Sequence, residues 1–64
     1  MRYRIEFADD LMHVLDEQNY GHDAHVVQPG DAAAAERKIG EWATEYGIEP
    51  KAPRRQLRDL LRRM

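Results

Sequence analysis

The chain predicts a small α+β domain: an antiparallel sheet of two or three short strands, one amphipathic helix packed on it, and a basic C-terminal helix. Three stretches carry the prediction. Met1–Phe7 alternates strictly, residues 31–46 hold a helical apolar stripe, and residues 53–64 set a narrow apolar seam among arginines. Sixty-four residues make one domain, 1–64.

In Met1–Phe7, Tyr3, Ile5 and Phe7 point one way and Arg2, Arg4 and Glu6 the other. That period of two is a half-buried strand. Ala8-Asp9-Asp10 breaks it. Residues 11–18 fit two elements. Leu11, Val14, Leu15 and Gln18 suit a short helix. Leu11, His13 and Leu15 suit one face of a strand. The strand is preferred, because it allows a simple antiparallel meander, whereas a helix implies a crossover and a lone parallel pair. Asn19-Tyr20-Gly21-His22-Asp23 reads as a turn, Ala24–Gln28 as a short strand, and Pro29-Gly30 as its end.

The main helix has a start, a face and a stop. Asp31 is the predicted N-cap, its carboxylate accepting from first-turn N–H groups. Ala32, Ala35, Ile39, Trp42, Ala43 and Tyr46 share an arc of about 100°. The small alanines invite close approach of another backbone, expected to be a strand. Ile39 and Trp42 are expected to pack against Ile5 and Phe7. Gly47 suits a left-handed cap, with Ile48 folding back on Ala43 and Pro50 blocking continuation.

Glu49–Pro53 is predicted to be a rigid Pro-containing linker, with Pro53 opening the last helix. There Leu57, Leu60, Leu61 and Met64 form a seam for docking or for a homodimer. Arg54, Arg55, Arg58, Arg62 and Arg63 surround it as the predicted partner-binding set. The net charge of −2 hides a segregation, about −7 over residues 1–49 and +5 over residues 50–64.

Much chemistry is absent. The chain has no Ser and no Cys, and its single Thr is Thr44, so serine- and cysteine-type triads, disulfides and cysteine-based zinc sites are excluded. No glycine-rich phosphate loop occurs, so no cofactor is expected. His13, His22 and His25 lie close together in sequence, with Asp9, Asp10, Asp16 and Asp23 nearby. A metal site could be built from them if His13 faced His25 across strands, but the spacing matches no ligand motif. No apolar run is long enough to cross a membrane and no signal-peptide pattern is seen, so a cytoplasmic location is expected.

A cysteine-free core this small is marginal alone, which favours a homodimer or a stabilising partner. The expected function is a non-catalytic protein–protein interaction module meeting an acidic protein surface. The alternatives are a nucleic-acid-binding regulator using the Arg-rich helix, and a His-based metal protein. An acidic first half and a pI near 5.8 weigh against nucleic acid. Met1–Phe7 is similar to the first strand of many small bacterial and phage proteins, including toxins of the RelE/ParE type, whose further strands are missing here. In size and charge layout alone the chain resembles small phage or mobile-element inhibitors such as anti-CRISPR proteins.

Overall fold

A computed structural model describes residues 1–64. The chain forms β1 (Tyr3–Ala8), β2 (Leu11–Asp16), β3 (Gly21–Val26), α1 (Ala32–Tyr46) and α2 (Lys51–Arg63). The strands make an antiparallel meander in the order β1-β2-β3, with both helices on one face. The fold is therefore the small α+β arrangement that the alternating strand and the two amphipathic stretches imply.

Residues 11–16 are a strand, but with the opposite face inward. Met12 and Val14 are fully buried and Asp16 nearly so, while Leu11, His13 and Leu15 point to the uncovered side. The β1–β2 turn decides this. Only Asp9 and Asp10 connect the strands, pairing Ala8 with Leu11. That register sets Ile5 opposite Val14 and Phe7 opposite Met12. Cross-strand partners share a face, so the core side of β1 dictates that of β2. Asp9 takes φ 57, the positive angle that a two-residue hairpin needs at its first central position.

The second turn closes earlier than expected, and His22 and Asp23 lie in β3 rather than in a loop. Asp16 is the cause. Its Oδ1 accepts the N–H groups of Gln18 (2.8 Å) and Tyr20 (3.1 Å), folding the chain over within four residues. Asn19 takes the left-handed φ of 69. A register shift between Val14 and Leu15 then brings both His22 and Asp23 toward the helical side.

Pro29 and Gly30 form a turn closed by Asp31 N–H to Gln28 C=O at 3.1 Å, with Gly30 at φ 83. Asp31 does occupy the N-cap of α1, but its carboxylate makes no capping bond. Its ψ of 34 departs from the extended geometry that aims a cap side chain at the first turn. At the other end Gly47 takes φ 67, and Ile48 N–H reaches Ala43 C=O at 3.1 Å, as the glycine stop predicts.

The core joins Ile5, Met12, Val14, Val27, Ala35, Ile39, Trp42 and Leu57, with Tyr3, Phe7, Tyr46, Ile48, Leu60 and Leu61 packed around it. The closest backbone neighbour of α1 is α2, not a strand. The side chains of Met12, Ile39 and Trp42 fill a whole layer between α1 and the sheet. The expected linker 49–53 shrinks to its first two residues. Pro50 caps α2, the first helical bond runs from Arg54 N–H to Pro50 C=O (3.0 Å), and Pro53 is buried inside the first turn. A first-turn N–H has no intrahelical acceptor, so proline is tolerated there.

Candidate interaction surface

Helix α2 is oriented by its apolar side. Leu57 has no exposed surface and belongs to the chain's own core, with Leu60 and Leu61 half-buried beside it. Met64, at 45 % exposure, is the open end of the seam. A second copy cannot reach Leu57 in this arrangement.

That orientation separates the five arginines. Arg54 is half-buried against α1, where a Cβ added at Gly40 would meet its Nη2 at 3.4 Å. It shares that groove with Glu36, Arg37, Glu41 and Glu45, a mixed-charge strip of α1. Arg63 lies along the groove between α2 and β1, together with Arg4, Glu6, Asp9, Asp10 and Asp59. Arg55, Arg58 and Arg62 point to solvent. Lys51, absent from the sequence-predicted set, joins them. The steps from Lys51 to Arg55, Arg58 and Arg62 are four, three and four residues, which draws a straight stripe about 16 Å long. Its only acid is Asp59, which stands 3.7 Å from Arg62 Nη2. An i, i+4, i+7, i+11 count of cations along the helix is the signal that finds Lys51.

The histidines do not converge. His13 pairs with Ala24 and lies on the uncovered face, whereas His25 pairs with Met12 on the helical side. No group of three His, Asp or Glu side chains is placed to hold a metal ion. His22 Nε2 is 2.9 Å from Asp16 Oδ2 and, facing an acceptor, is the donor. The His22 ring stands edge-on to Tyr3 at 5.0 Å, and Tyr3 contacts Tyr46 at 4.9 Å. The His22 bond, helped by the Gln18 and Tyr20 amides, holds the Asp16 carboxyl below its ordinary range. Asp23 is held down by the Trp42 indole, whose Nε1–H donates to Oδ2 at 3.0 Å. Burial raises the Tyr46 phenol. These acids lock a turn and anchor α1 on β3. The Trp42–Asp23 bond crosses the domain, and nothing in the local pattern of either segment marks it.

The chain matches no protein-family model, no curated protein and no solved structure. No helix is long and apolar enough to cross a membrane.

Proposed function

We propose that the chain is a non-catalytic protein–protein interaction module that docks an acidic partner through the outward face of α2. The observation that carries this is the stripe Lys51, Arg55, Arg58 and Arg62, left facing solvent while Arg54 is half-buried against α1. Arginine suits this task, because its planar fork meets carboxylates in pairs. A stripe on a rigid helix loses less order on binding than one on a loop. In size and charge layout this suits a small inhibitor or adaptor of the phage or mobile-element kind, working in the cytoplasm.

The test replaces Lys51, Arg55, Arg58 and Arg62 by Glu and measures binding to a glutamate-rich peptide and to short duplex DNA over a salt series. Peptide binding that vanishes in the variant, with the melting temperature nearly unchanged, supports the reading. Tight duplex binding whose logarithm falls steeply with log salt moves the function to nucleic acid instead. A folded variant that binds the peptide as before removes α2 from the interface, and a variant that unfolds makes the stripe structural.

A further inference from the structure

We infer that the open edge of β1 is a self-association site, pairing antiparallel with β1 of a second copy about a two-fold axis at Ile5. This goes beyond the docking reading and uses a different surface, so either can fail alone.

The backbone hydrogen bonds show which edge is open. Asp16 N–H goes to Tyr20 C=O and Asp16 C=O accepts from Asn19 N–H, both at 3.0 Å. Asp16 therefore exchanges no ladder bonds with its partner Tyr3. Antiparallel pairs alternate between bonded and non-bonded, so Ile5 with Val14 and Phe7 with Met12 are also non-bonded. The N–H and C=O groups of Tyr3, Ile5 and Phe7 then face away from β2, at the rim of the sheet. β1 carries no proline and no bulge, two of the usual protections of an edge.

The opposite edge is protected. By the same alternation Ala24 turns its N–H outward on β3, and Asp23 Oδ1 already accepts it at 2.8 Å. The register shift between Val14 and Leu15 further breaks that side.

The side chains of β1 select one partner register. Opposed residues must share a face, so the axis passes through a residue of the strand. At Arg4 or Glu6 it sets like charges opposite each other. At Tyr3 it sets Arg2 against the partner's Arg4. At Phe7 it sets Glu6 against the partner's Ala8. At Ile5 the central pairs are all favourable: Ile5 meets the partner's Ile5, Tyr3 meets the partner's Phe7, and Arg4, which bridges its own Glu6 at 2.5 Å, meets the partner's Glu6 as well; only Arg2, ahead of the strand, is set against the partner's Ala8. It is also the register that joins the outward backbone groups of Tyr3, Ile5 and Phe7 to each other. Beside this edge runs the groove between α2 and β1, whose α2 side is formed by Gln56, Asp59, Leu60, Arg63 and Met64. Such a contact is isologous and closes as a dimer, with one continuous sheet. One strand pair lies at the small end of interface sizes, so the association is weak.

The test is sedimentation of the full chain up to about 1 mM, a concentration that detects millimolar dissociation constants, with amide exchange read alongside. The expected result is a monomer–dimer equilibrium in which the Tyr3, Ile5 and Phe7 amides gain protection as concentration rises. Arg4→Glu and Glu6→Arg, each alone, set like charges across the axis and weaken association at least about tenfold, or about 1.4 kcal/mol. Mixed in equal amounts, the two variants form a one-to-one pair, because each acid then meets an arginine across the strands. A wild-type chain that stays monomeric overturns the inference. So does a dimer that leaves those three amides unprotected, or variants that fail to pair on mixing. The amide readout uses the unaltered chain and stands whether or not the Arg4 variant folds.

Discussion

Leu57→Ala asks whether α2 is part of the core or a removable arm. Leu57 is fully buried in a cluster with Ile5, Ile39 and Trp42. Truncation removes three carbons, and at roughly 0.8 kcal/mol per buried methylene the transfer loss is about 2.4 kcal/mol. The cavity left behind raises this within the range of ~2–5 kcal/mol for such changes. A core of this size supplies only about 3–5 kcal/mol in all. The variant is therefore expected to stand at the edge of unfolding, with its denaturant midpoint close to zero. Trp42 is the single tryptophan and has no exposed surface, so its emission follows the transition directly. Met64→Ala, on the same seam but 45 % exposed, is the control and should lose under about 1 kcal/mol. Equal small losses at both positions would refute the placement of Leu57 in the core.

The acid limb of stability should depend on Asp16. Its carboxyl is held low in the folded chain, so its contribution is present above the ordinary carboxylate value of about 4 and is lost as pH falls through the lower folded value. Thermal melts from neutral to acid pH should drop most steeply below about pH 4, and Asp16→Asn should lower the neutral melting temperature and flatten that drop. A variant with an unchanged acid limb would discard the assignment. Asp9→Gly should raise stability by about 0.5–1 kcal/mol, because glycine takes the positive φ of 57 without steric cost and gives back part of the gain as unfolded-chain entropy. A loss of stability in urea would show that the Asp9 side chain supports the turn.

Local pattern was enough for the elements whose signal lies within one segment. The Tyr3, Ile5, Phe7 alternation, the apolar stripe from Ala35 to Trp42 and the Gly47 stop are each written within a few residues, and all are present in the fold. Steric preference and the burial of one face need no partner to be specified. The parity of β2 is different. Leu11, His13, Leu15 and Met12, Val14, Asp16 are both legal strand faces, and only the register from the Asp9-Asp10 turn decides between them. Likewise, Pro50 and Pro53 look like a linker until Pro53 is seen buried in the first turn of α2. The arginines of α2 were legible as a set. Their division was not, because it depends on α1 with its Gly40 notch lying on one side and β1 on the other. Composition determined that the chain lacks Ser and Cys, and the order of its charged residues determined that the charge is segregated. Which cations face solvent and which strand edge stays open were decided by tertiary packing, since exposure is a property of neighbours that lie far apart along the chain.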